Sequence, residues 1–152
     1  MSKAKDMVVC VVFTGSDYAH REVVLELKNR PDEQKGLWNF PGGRIEENES
    51  PTQAAAREFA EECGLQTASM VWDIVGRFKA YSPYGFCYVW VCKTDVHDDA
   101  KKEIITKTDE TVVVWPVNGL PNNILYNIRY LIDESLKVHE EWEPVEKILQ
   151  TP

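Results

Sequence analysis

No apolar run in this 152-residue chain reaches the ~18 residues that a membrane-spanning helix needs. The segment Met1 to Asp6 is short and polar, with no apolar stretch behind it that reads as a secretion signal. The four cysteines (Cys10, Cys63, Cys87, Cys92) form no C-x-x-C pair. Three of them sit in apolar segments and read as reduced, buried thiols of a cytoplasmic protein. The three histidines (His20, His97, His139) are scattered among polar neighbours, so a histidine metal site is not expected. Positive charge is scarce: 17 basic against 25 acidic residues leave a net charge of −8, with no basic stripe. Such a surface repels a nucleic-acid backbone and argues against a nucleic-acid partner. It does not argue against a small phosphate substrate, because a bound cation can invert the local field. Repeats and low-complexity tracts are absent too, and the length suits one domain over residues 1–152, as a monomer or a homodimer.

Hydrophobic residues at 43% supply a core. Val8 to Thr14 and Glu22 to Leu27 are β-rich runs around the polar turn Gly15-Ser16-Asp17, and so a hairpin. Asn29 to Lys35 is a polar loop, and Leu37 to Phe40 a short apolar run ended by the breaker Pro41-Gly42-Gly43. A helix follows. Ser50 is its N-cap, Pro51 suits the first helical position, Gln53 completes a capping box, and Gly64 ends it. Met70 to Ala80 and Phe86 to Cys92 read as strands joined by a turn at Ser82-Pro83-Tyr84-Gly85. Asp95 to Asp109 is a charged connection, Thr111 to Val117 a strand, and Asn122 to Val138 a helix with Ile124, Leu125, Ile128, Leu131, Ile132 and Leu136 at helical spacing. The tail after His139, with Trp142 and Pro144, is expected to pack loosely. The fold class is mixed α/β (α+β): a curved mixed sheet sandwiched between helices.

The chemistry gathers in Gly43 to Leu65. Glu58, Glu61 and Glu62 lie at i, i+3 and i+4, which places them on one helical face. Like charges at that spacing destabilise a helix by a few tenths of a kcal/mol each, so the face is either solvated or neutralised. Hard divalent cations seek such clustered carboxylate oxygens, and the negative end of the helix dipole favours them. Three glutamates alone would suggest a solvated face.

The surrounding spacing decides otherwise. Gly43 is followed after five residues by Glu49, after seven more by Arg57-Glu58, then by Phe59, Ala60, Glu61-Glu62, Cys63, Gly64 and Leu65. The segment resembles the Nudix box, G-x5-E-x7-R-E-U-x-E-E-x-G-U with U a bulky aliphatic; Phe59 is the one departure, aromatic where an aliphatic is usual. The resemblance implies a loop–helix–loop that binds Mg²⁺ (or Mn²⁺) along a diphosphate. Glu58, Glu61 and Glu62 would be metal ligands, with the carbonyl of Gly42 as another. Arg57 would orient Glu58 or Glu49, and Glu49 would act behind the ligands. Many members place a further glutamate on a later loop or strand as ligand or base. Glu110 is the candidate here and Glu103 the reserve; a charged strand-end residue is the alternative for Glu110.

The substrate is less defined. Trp38, Phe40, Tyr81, Tyr84, Phe86, Trp90 and Trp115 could stack a base or could pack in the core. Asn122 and Asn123 open the last predicted helix where MutT-like relatives place a base-reading asparagine; a plain N-cap is the alternative. Arg21, Lys28 and Arg77 could touch phosphate. The resemblance implies hydrolysis of the phosphoanhydride of a nucleoside diphosphate derivative, foremost a (d)NTP pyrophosphatase releasing the monophosphate. ADP-ribose, nucleotide-sugar or dinucleoside polyphosphate hydrolysis is the alternative, and a non-catalytic nucleotide-binding regulator a third.

Overall fold

Val8 to Phe13 carries no charged residue and is buried on both faces, as only a central strand can be. The computed structural model describes residues 5–15, 18–82, 85–137 and 145–149. In it β1 (Met7–Thr14) is the spine of a mixed sheet. The other strands are β2 (Glu22–Leu27), β3 (Trp38–Asn39), β4 (Gly42–Arg44), β5 (Asp73–Ser82), β6 (Gly85–Asp95), β7 (Val112–Pro116) and β8 (Val145–Leu149). The order is β3-β2-β1-β6-β5-β8, with β7 also on β2 and β4 also on β1. β1 with β6 and β5 with β8 are parallel; the remaining pairs are antiparallel.

One edge of β1 forks. Its end, Phe13 and Thr14, pairs with β2, while its start, Met7 to Val9, pairs with β4. The two glycines of the breaker Pro41-Gly42-Gly43 therefore become part of a strand. Gly42 is required there: a Cβ would lie 2.2 Å from the Val8 carbonyl oxygen.

Two apolar layers cover the sheet. Helix α1 (Pro51–Cys63) buries Ala54, Ala55, Phe59 and Cys63 against Val8, Cys10, Val12 and Val24, and Phe59 meets Trp72 edge-on at 5.9 Å. Fully burying the Phe59 ring contributes roughly 1.5–3 kcal/mol relative to exposure. The capping box at Ser50 and Gln53 forms, and Gly64 closes the helix at φ 82°. On the opposite face α2 (Ile128–Leu136) packs Ile128, Leu131 and Ile132 onto Val11, Phe13, Phe78 and Val91.

Several boundaries differ from the sequence reading. The last helix begins at Ile128, not Asn122. The backbone before it is drawn to β3 instead: Trp38 N–H donates to Asn123 O at 2.8 Å and Leu125 N–H to Trp38 O at 3.0 Å. Residues 69–71 form a 3₁₀ turn, so the strand expected from Met70 starts at Asp73. The tail is not loose throughout, since Val145–Leu149 forms β8 beside β5. Ser16 and Asp17 of the first turn, Pro83 and Tyr84 of the second, and Trp142 and Pro144 lie outside the described residues. Among the described residues, no helix is long and apolar enough to cross a membrane. Cys10, Cys63 and Cys92 are buried and Cys87 is half-buried, and none of the four is in a disulfide.

Candidate active site

Helix α1 runs over the fork in the sheet, and its acidic face turns toward β4. Arg57 is the hub. Its Nε and Nη2 donate to the two oxygens of Glu49 at 2.7 and 3.0 Å, a two-pronged bond that holds the Glu49 carboxyl below the usual carboxylate range. Its Nη1 donates to Glu58 at 2.9 Å and to Glu61 at 3.3 Å, and Nη2 also donates to Arg44 O at 3.0 Å. Hydrogen bonding to Glu49 foremost holds the guanidinium firmly charged. One rigid cation thus ties the loop before α1 to three acids of the segment.

Glu58 reaches Gly43, where a Cβ would come within 2.4 Å of its carboxylate; only glycine leaves room for it. Burial raises the Glu58 pKa against the pull of Arg57. Glu61 is the exposed member, its side chain 59% accessible. Glu62 turns inward and accepts from Gly42 N–H at 3.0 Å. Burial first, and the charge of Glu26 second, push its pKa up. Among the described residues, no three His, Cys, Asp or Glu side chains converge on one point in this conformation. Arg57 draws Glu58 and Glu61 one way, and Gly42 holds Glu62 the other.

Glu110 lies on the bend before β7 and is buried, with both oxygens engaged: Oε1 by Lys28 Nζ at 3.0 Å and Oε2 by Asn29 N–H at 2.6 Å. The acid that faces Glu62 is Glu26 on β2, which the sequence reading passed over. Burial raises the pKa of Glu26, with Lys28 opposing. Glu103 is exposed, at the end of a 3₁₀ turn.

A cavity of about 350 Å³ opens on the α2 side of the same fork. Gly42 and Gly43 form its wall toward the carboxylates; Lys28, Asn39, Phe40, Tyr126 and Asn127 line other sides. Phe40 thus sits where a ligand could meet it. Trp38 does not line the cavity: it is buried edge-on against Trp115 at 5.2 Å. Asn122 and Asn123 do not line it either. The Asn123 side chain donates to Gly36 O at 2.9 Å and fastens the strap to β3. The asparagine at the start of α2 is Asn127. Of the other basic candidates, Arg21 bonds Asp95 at 2.6 Å and Arg77 stacks on the Tyr88 ring at 4.1 Å. Tyr81 and Phe86 stack with Lys79, and Trp90 with Arg77, away from the cavity; Tyr84 lies outside the described residues.

An acidic helix laid over a forked mixed sheet, hinged on paired glycines, is a family architecture. The NUDIX domain family matches residues 4–148, and the chain belongs to that family. Among curated relatives, it is 41% identical over 46 residues to an 8-oxo-dGTP diphosphatase of Proteus vulgaris, covering 30% of this chain and 41% of that protein. It is 39% identical over 67 residues to putative 8-oxo-dGTP diphosphatase 2 of Mycobacterium tuberculosis, covering 43% of this chain and 48% of that protein. The chain therefore spans less than half the length of each of these two relatives. The NUDIX domain of Shewanella oneidensis NrtR, crystallised with ADP ribose, superposes with a TM-score of 0.67 at 22% identity over 88% of this chain and 86% of that one, a likeness of fold. Another NrtR crystal structure holds a 27mer DNA, so the fold does not itself exclude a nucleic-acid partner.

Proposed function

We propose that this protein is a divalent-cation-dependent hydrolase that cleaves the phosphoanhydride of a nucleoside triphosphate, releasing the nucleoside monophosphate and pyrophosphate. The observation that carries the reading is the two-glycine wall: the half-buried Glu62 and Glu58 stand on one side of Gly42-Gly43 and the cavity on the other. A ligand seated in the cavity meets the acids at its phosphate end.

The donors suit Mg²⁺, or Mn²⁺ in its place: all are oxygens, the space beside Gly43 is kept free of a Cβ, and the buried Glu26 Oε2 receives no fixed N–H or O–H donor. Glu58, Glu61, Glu62 and the Gly42 carbonyl would hold the ion. Bound there, it would screen the polyanion and lower the pKa of water. Arg57 keeps Glu58 and Glu49 in register with the loop. Lys28, on the cavity wall, offers positive charge to the phosphates. Asn127 and Tyr126 supply an amide and an exposed ring for the base, while the Asn39 side chain is engaged by Gln34 and Phe40 N–H. Glu110, with both oxygens taken, acts as the anchor of Lys28 rather than as a ligand. Attack of water on one phosphorus would then form the new P–O bond and break the P–O–P bridge: the bridging oxygen leaves with the electron pair on pyrophosphate or the nucleoside monophosphate, and the water's proton passes to a carboxylate of the cluster and on to solvent.

The cavity is at the small end of the ~300–1,000 Å³ typical of ligand pockets. It suits one nucleoside better than two, which favours nucleoside triphosphates over dinucleoside polyphosphates. The negative surface and free buried thiols fit a cytoplasmic enzyme that acts on small nucleotides rather than on a nucleic acid. The test is phosphate release from a panel in Mg²⁺, with coupled pyrophosphatase for canonical and oxidised (d)NTPs and coupled alkaline phosphatase for the phosphomonoesters freed from ADP-ribose, sugar nucleotides and dinucleotides. Turnover of (d)NTPs supports the reading. Turnover of the other diphosphates alone replaces the substrate class, and tight binding without product sinks the activity.

A further inference from the structure

Strand β2 alternates, so Glu22, Val24, Glu26 and Lys28 share one face. Val24 packs in the apolar layer under α1, and Glu26 follows it inward to 1% exposure. A buried carboxylate is costly unless it is paired and hydrogen-bonded. Glu26 is poorly provided for. Its Oε1 lies 3.4 Å from Lys28 Nζ, while Lys28 makes its shorter bond, 3.0 Å, to Glu110. Its Oε2 is buried and receives no bond from a fixed N–H or O–H donor; what stands within hydrogen-bonding reach of this carboxyl is another acid, Glu62. Its neighbour across the fork is the carboxyl of Glu62, whose own bond is the 3.0 Å one from Gly42 N–H. Three buried or half-buried acids (Glu26, Glu62 and Glu110) thus share one lysine among them, and the cluster lacks positive charge.

We infer that Glu26, on β2 and outside the Gly43–Leu65 segment, supplies a further carboxylate oxygen to the divalent cation, from the side of the site opposite the bulk of α1. The inference rests on the reading above that a divalent ion sits among the α1 glutamates, and adds to it a ligand from the sheet. The geometry favours it for two reasons. The Glu26 and Glu62 carboxyls stand within hydrogen-bonding reach of each other with no donor fixed on Glu26 Oε2, so an ion bound by Glu62 comes within reach of Glu26. Lys28 already stands beside Glu26 as a tethered cation, and the arrival of a second cation leaves it for Glu110 and the cavity, whose wall it forms.

Mn²⁺ serves as the probe, without nucleotide. Free Mn²⁺ is followed by electron paramagnetic resonance in titrations of the wild type and Glu26→Gln, with thermal melts of each at zero and saturating metal. The expected result is at least a tenfold loss of Mn²⁺ affinity in Glu26→Gln. Most of the Mn²⁺-induced rise in Tm should go with it. Wild-type affinity in a folded Glu26→Gln overturns the inference. If that variant does not fold, Glu26→Asp keeps the charge and shortens the reach. A several-fold weaker affinity then supports the ligand, and an unchanged one overturns it. The two readings fail differently. A wild-type protein that neither binds Mn²⁺ nor hydrolyses any of the panel removes the cation site itself. One that does both while Glu26→Gln binds equally removes only Glu26.

Discussion

Replacing Gly43 by alanine perturbs one acid and little else. The added Cβ would lie 2.4 Å from Glu58 Oε1, 2.6 Å from its Cδ and 2.7 Å from Oε2. Comfortable carbon contacts begin near ~3.5 Å, so the carboxylate must withdraw by about 1 Å. What yields is the end of a flexible side chain, not backbone. The fold should therefore survive, with a stability loss bounded by the partly exposed Arg57–Glu58 bond of 2.9 Å, at most about 1 kcal/mol. That corresponds to a Tm shift of a few degrees. Catalysis is less forgiving, because a ~1 Å misplacement can cost ~10²-fold. The expected outcome is kcat/KM lower by about 10²-fold, equivalent to ~2.7 kcal/mol in the barrier, on whichever nucleotide the panel identifies. Initial rates at saturating Mg²⁺ beside thermal melts make the comparison. Gly42→Ala is the contrast: its Cβ would strike the Val8 carbonyl at 2.2 Å, so it should unfold the β1–β4 pairing itself. A Gly43→Ala protein with the wild-type rate and wild-type Mn²⁺ affinity would refute the argument that the place of Glu58 against this glycine matters to the chemistry.

Glu62→Gln and Glu61→Gln should each lower turnover by orders of magnitude while circular dichroism stays native; a wild-type rate in either removes that side chain from the ligand set. Glu110→Gln should lose the charge that binds Lys28 and Asn29 and lower the urea midpoint, with a smaller loss of turnover than Glu62→Gln; the reverse ranking would return Glu110 to the chemistry. Phe59→Ala, at a fully buried ring against Trp72, should cost about 3–5 kcal/mol in denaturant melts, and a loss under ~1 kcal/mol would mean that the α1 layer repacks freely. For Asp95, burial pushes the pKa up, but Lys93 and Arg21 outweigh it and hold the carboxyl below its usual value. Its contribution is therefore complete above the unfolded pKa near ~4 and is lost as pH falls through the lower folded value. Asp95→Asn should lower stability at pH 7 and narrow the gap to wild type at the acid end; an unchanged gap at pH 3 contradicts the assignment.

Elements with local signals were readable from the residues. Ser50, Pro51, Gln53 and Gly64 mark both ends of α1, and those ends stand in the structure. The strands rich in Val and Phe were placed within a few residues. What escaped depends on partners distant in sequence. The apolar spacing from Ile124 onward suits a helix, yet Trp38 and Gly36 claim the backbone and side chain of Asn123, and the helix waits until Ile128. The two glycines of the Pro41-Gly42-Gly43 breaker join a strand because β1 offers an open edge, which no local propensity announces. Glu26 was passed over for a similar reason. Alternation along β2 sets it with Glu22 and Lys28, as if on a solvent face, and only the helix laid above makes that face interior. Trp38 looked available for stacking, but its edge-on partner Trp115 lies on β7.

The α1 acids and the cavity lie on opposite faces of the sheet and meet at Gly42, Gly43 and Lys28. Under the proposed function, selectivity and reactivity are separable traits. Exchanging Tyr126 or Asn127 would then retune which molecule is admitted without disturbing how a bond is severed, so descendants or engineered variants would change diet while keeping the same cutting tool.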